Sequence, residues 1–114
     1  MGFRPEAIAP RPRSGEPRTL SPIEKALELE RSGKWREAVE ILETAIHRTR
    51  APAPLFNRLA IFVAKYQRDF LEAERLLNRA LELEPDNAVY EENLVKVVAL
   101  ASDAGGHKAS RKRR

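Results

Sequence analysis

Residues Phe70 to Asn87 read FLEAERLLNRALELEPDN. Ala73, Leu76, Leu77, Ala80 and Leu81 recur at steps of three and four, which is one face of an α-helix. Asp69 is placed to cap its start, and Glu72 follows three residues on, as a capping box requires. Pro85 stops the helix, and Asp86-Asn87 turns the chain into the next one. The same pattern occurs earlier. Gly33-Lys34-Trp35 opens a helix that carries Ala38, Ile41, Leu42, Ala45 and Ile46. Ala38 and Ala73 are 35 residues apart, as are Ala45 and Ala80. Two like helices at that period imply a repeated helical hairpin.

Around these two helices, three more are expected. The first is capped by Ser21, with Pro22 in its first turn and Glu24 closing a capping box. Its apolar face holds Ile23, Ala26, Leu27 and Leu29, and Ser32-Gly33 ends it. The second spans about Trp35 to His47, with Trp35 as a buried anchor at the base of the hairpin. Two prolines fix the linker Arg50 to Pro54. The third helix is read over Leu55 to Gln67, with Phe56, Leu59, Ala60, Val63 and Tyr66 facing the core. The fourth is the opening stretch, and the fifth runs from Ala88 to about Ser102.

These residues resemble the tetratricopeptide repeat (TPR) family, whose unit is two antiparallel helices in about 34 residues. Gly33, Trp35, Ala38, Leu42 and Ala45-Ile46 carry one copy of its turn and second helix. Arg68, Asp69, Phe70, Ala73, Leu77, Ala80-Leu81 and Pro85 carry another. Arg68 replaces the usual turn glycine, and Arg50 stands where the first copy should close with proline. Leu59-Ala60 and Leu94-Val95 are similar to the family's large-small pair in the first helix, with Val63 and Val98 one turn later. Lys25-Ala26 keeps only the small residue. The second copy carries one extra residue near its hairpin turn, around Lys65 to Arg68. The resemblance covers roughly Thr19 to Ser102. It implies an all-α fold of antiparallel helical hairpins, stacked as a short TPR-like solenoid of about two repeats plus a fifth helix.

Composition sets the outer bounds. A chain of 114 residues allows one domain, and the absence of cysteine removes disulfides and thiolate metal sites. No apolar run approaches the length of a membrane span. Met1-Gly2 is not followed by the Ser or Thr of a myristoylation signal, since Glu6 stands there. Residues 1–20 form a Pro/Arg-rich leader with four Arg against two Glu, expected to be flexible. The helical domain, 21–102, has 12 basic and 14 acidic residues. The tail, 103–114, has five basic residues against one acidic. The positive charge therefore belongs to the two ends.

Nothing in the pattern points to catalysis. His47 falls in the last turn of the second helix, where a cation suits the helix end, and His107 falls in the tail. No His-x-x-x-His spacing suggests a metal, and Gly105-Gly106-His107-Lys108 lacks the longer glycine frame of a phosphate loop. The Glu residues fit solvated helix faces. We expect no enzyme activity, no cofactor and no metal.

In the TPR family the first helix of each hairpin lines a concave groove that takes extended peptides. The resemblance puts Ile23, Leu27, Glu30 and Arg31 on that groove from the first helix. The third contributes Asn57, Arg58, Ile61 and Lys65, and the fifth Val89, Asn93, Lys96 and Leu100. Asn57 and Asn93 offer amide donors and acceptors to a peptide backbone, and Arg58, Lys65 and Lys96 offer charge to acidic groups. Ile23 and Leu27 occupy places where the family's carboxylate-clamp subgroup has Lys and Asn, so a full clamp is not expected. The fifth helix is apolar around most of its circumference, through Val89, Tyr90, Leu94, Val95, Val97, Val98 and Leu100. No second helix follows it, so Val89, Val95 and Leu100 are expected in an interface. The leading expectation is a non-catalytic adaptor or small subunit of a larger complex. It would bind another protein, as a peptide segment or a helix, and stay off membranes. One alternative is association with nucleic acid or a ribonucleoprotein through the tail, where Lys108, Arg111, Lys112, Arg113 and Arg114 would meet phosphates or an acidic partner. A homo-oligomeric scaffold through the fifth helix is the other. A cytoplasmic location is expected, or a nuclear one in a eukaryote.

Overall fold

The computed structural model describes residues 20–104. Five α-helices follow in order: α1 (Pro22–Arg31), α2 (Trp35–Ile46), α3 (Ala53–Phe62), α4 (Phe70–Leu83) and α5 (Ala88–Asp103). A single π-helical segment, Val63–Gln67, extends α3. Each helix packs on the next, α1 with α2, α2 with α3, α3 with α4 and α4 with α5. The result is an all-α domain of sequentially packed helices.

The helix ends follow from local chemistry. Ser21 closes a full capping box with Glu24, its hydroxyl accepting from the Glu24 N–H at 3.1 Å and its own N–H donating to the Glu24 carboxylate at 2.9 Å. α1 ends in a Schellman arrangement. The Lys34 N–H donates to the Leu29 carbonyl and the Gly33 N–H to the Glu30 carbonyl, at 2.8 and 2.9 Å. Gly33 takes the left-handed conformation this needs, with φ of 79°. At α4, Asp69 caps the Glu72 N–H at 3.1 Å, as the sequence suggested. The Glu72 carboxylate, however, turns to Arg75 instead of back to Asp69, so only half of the box forms. Glu84 leaves the helical region (φ −135°, ψ 79°) before Pro85, which ends α4, and the Asn87 side chain caps α5 at the Tyr90 N–H.

The third helix departs from the sequence reading in two ways. It begins at Ala53, two residues early, because Pro54 sits in the first turn, where no N–H is needed. Its regular turns stop at Phe62, and the last stretch widens into the π segment. The repeat pattern read from the sequence led to the expectation of one extra residue in this stretch. A π turn takes one residue more per hydrogen-bonded ring than an α turn, and so accommodates an insertion without a loop. The segment ends on Arg68, a non-glycine residue with positive φ (55°), whose guanidinium lies 5.0 Å from the Phe70 ring. A left-handed side-chain residue costs about 1–2 kcal/mol, offset by about 0.5–1 kcal/mol from the ring contact. Arg68→Gly is therefore expected to raise stability by about 0.5–1 kcal/mol, read as a higher urea midpoint. A lower midpoint would mean that the Arg68–Phe70 contact outweighs the backbone strain.

The core is built from small residues where helices approach and large ones between them. Ala26, Ala38, Ala60, Ala73 and Ala80 are all 0% exposed, and Phe62, Leu42 and Leu77 are the largest fully buried side chains. Trp35 is half-buried rather than sunk as an anchor. Its ring lies flat on Tyr66 at 5.2 Å, with the Arg36 guanidinium 4.8 Å from the same ring.

Candidate functional site

On α3, residues 57, 58, 61 and 65 fall on one side, and on α5 so do 89, 93, 96 and 100. Side-chain bonds tie the first of these helices to its odd-numbered neighbours on both flanks. Toward α1, the Glu30 carboxylate accepts from Lys65 Nζ at 2.9 Å and from the Tyr66 hydroxyl at 2.6 Å. Toward α5, Asn93 Nδ2 donates to Asn57 Oδ1 at 2.9 Å. The donors Lys65 and Tyr66 both belong to the π segment, and both reach a single carboxylate oxygen.

The electrostatics of this cluster follow from those bonds. Donation from Lys65, then from Tyr66, holds the Glu30 carboxyl below its ordinary value, and Arg58 adds a longer-range attraction. The same bonds raise Lys65 and Tyr66 above theirs, since each loses a favourable contact on giving up its proton. Lys65 remains well exposed, and its ammonium lies 5.1 Å from the Tyr66 ring. Arg58 is half-buried, and its Nε is buried without a hydrogen-bond partner.

The residues expected on the groove thus divide into two groups. Asn57 is buried and bonded to Asn93, and Lys65 is engaged by Glu30, so these side chains first serve to join helices. Arg58, Ile61 and Lys96 keep surface open to solvent, Lys96 with only a loose 3.9 Å pairing to Glu92 on its own helix. Val89, Val95 and Leu100 are exposed at 57%, 68% and 41%. Val95 points to a different side of α5 from the other two, so the three do not form one patch. Lys108, Arg111, Lys112, Arg113 and Arg114, like most of the leader, lie outside the described residues.

Sequence reasoning missed the Glu30–Lys65–Tyr66 cluster and assigned Tyr66 to the core alone. The available signal was an acid and a base 35 residues apart, the same spacing as Ala38 and Ala73. Among the described residues, no helix is long and apolar enough to cross a membrane, and no group of three or more metal-binding side chains converges. Compared with protein-family models, curated proteins and solved structures, the chain finds no match.

Proposed function

We propose that the chain is a non-catalytic protein-interaction module, a TPR-like stack of helical hairpins that serves as an adaptor or small subunit of a larger complex. On this reading a partner segment lies extended across α1, α3 and α5. The observation that carries it is the pair of side-chain ties at one spacing. Glu30 meets Lys65 and Tyr66 at separations of 35 and 36 residues, and Asn57 meets Asn93 at 36. Ties of equal span favour three first helices standing side by side and forming one continuous face. Arg58 and Lys96 give that face positive charge beside the apolar Ile61 and Leu100, which suits a peptide with acidic and apolar side chains in alternation.

The test is capture of partners from the native source by the full chain, with and without nuclease, against two variants. Lys96→Glu with Leu100→Ser, both exposed on the groove side of α5, should weaken capture at least several-fold while helicity and melting cooperativity stay near those of the parent. Val95→Glu, on another side of α5, should leave capture intact. Loss with Val95→Glu and retention with the groove pair would move the binding face to the outer side of α5. Loss on nuclease treatment alone would move it to the basic tail and a nucleic acid.

A further inference from the structure

Sequential packing leaves the domain with two ends, the outer side of α1 and α2 and the outer side of α5. Stacked helical units normally present polar surfaces at such ends. Neither end here is polar throughout. At the first, Pro22, Ile41 and Ala45 floor a cleft of about 850 Å³, rimmed by Lys25, Arg48 and Arg50. Ile41 lies on the opposite side of α2 from Glu43 and Ile46, which share a second cavity with Phe56 and Leu59 of α3. The cleft therefore faces outward. Its three cations have no ion-pair partner among the described residues, and Glu40 is the one acid in its lining.

The other end has the reverse character. Glu91, Val95, Val98 and Ser102 follow at steps of four, three and four, forming a stripe turned away from the buried Tyr90, Val97 and Ala101. Val95 is 68% exposed and Val98 39%. Of the exposed charges of α5, Glu91 lies on this stripe, whereas Glu92, Lys96 and Asp103 lie about 100–140° around the helix from it. One end thus offers an apolar floor with three cations and one acid. The other offers an apolar ridge with one acid and no cation.

We propose that α5 of one copy docks by its Val95–Val98 ridge into the α1/α2 cleft of a second copy, so that chains associate head to tail. The ridge fills the apolar floor, and Glu91 meets the basic rim. A two-fold pairing of α5 with α5 would leave Glu91 without a cation on the facing ridge and leave the cleft open. Because the two surfaces differ, every added copy presents a free ridge and a free cleft, and growth does not stop at two.

Sedimentation or light scattering of the full chain over a wide concentration range tests this. The average mass should rise roughly twofold or more, without a plateau at the dimer, and should fall back as salt screens the rim. Val95→Glu and the pair Lys25→Glu/Arg48→Glu, all at exposed positions, should each be monomeric with unchanged helicity. Mixed in equal amounts, each supplies the surface the other lacks, and the mixture should form dimers and nothing larger. A parent chain that stays monomeric at the highest concentration overturns the proposal. So does a basic-rim variant that still associates while Val95→Glu does not, which would indicate α5 pairing with α5, and so does a mixture that stays monomeric.

Discussion

Phe62→Ala is expected to destabilise the domain by about 3–5 kcal/mol. Phe62 is 1% exposed and is the last regular residue of α3, at the point where the helix widens. Its ring lies 5.9 Å from that of Tyr66 at a 48° tilt, and Tyr66 in turn stacks on Trp35. Removing the ring opens a cavity and also takes away the surface against which Tyr66 is held. A domain of this size has a total stability of about 4–13 kcal/mol, so the variant should lose from roughly a quarter of it to all of it. Urea unfolding followed by circular dichroism gives the magnitude. Emission from Trp35, the chain's single tryptophan, should shift even where helicity persists. A loss under about 1 kcal/mol would mean that the end of α3 is not packed as described.

Leu77→Ala is the second large loss, at about 2–5 kcal/mol. Leu77 is 0% exposed on α4, which packs against both α3 and α5. Leu42 is equally buried, but on α2, where its removal touches the first half of the domain. The two substitutions therefore report on different parts of one cooperative unit. If the domain unfolds as a whole, both lower the urea midpoint with an unchanged slope. A reduced slope or a second transition for Leu77→Ala alone would show that α5 is held chiefly through α4 and can leave separately. A melt indistinguishable from that of the parent would contradict the packing of α4 between its two neighbours.

The ends of α1, α2, α4 and α5 were legible within a residue or so because single side chains decide them. Ser21, Gly33, Asp69, Pro85 and Asn87 each satisfy or block specific backbone groups. The start of α3 was not, since proline is compatible both with a linker and with a first helical turn. The extra residue expected near Lys65 rested on a spacing, and spacing alone does not choose between a longer loop and a wider turn. The exposed valines of α5 could be read from its apolar circumference. Bonds between side chains on different helices could not, because each residue's local pattern describes only its own helix. That is why Asn57 and Lys65, free on a helical wheel, are partnered in the folded chain.

One extra residue in a regular helix rotates everything after it by about 100° relative to everything before it. Such a change would ordinarily turn the buried face of α4 toward water. A wide turn such as Val63–Gln67 can absorb a rotation of that size within five residues, and Phe70, Ala73 and Leu77 point inward beyond it. A turn of this width can act as a phase correction in a chain. It lets the number of residues change while the direction in which the later side chains face stays the same. Removing one residue from this segment, and not from the turn beyond it, is the length change the downstream helices would notice least.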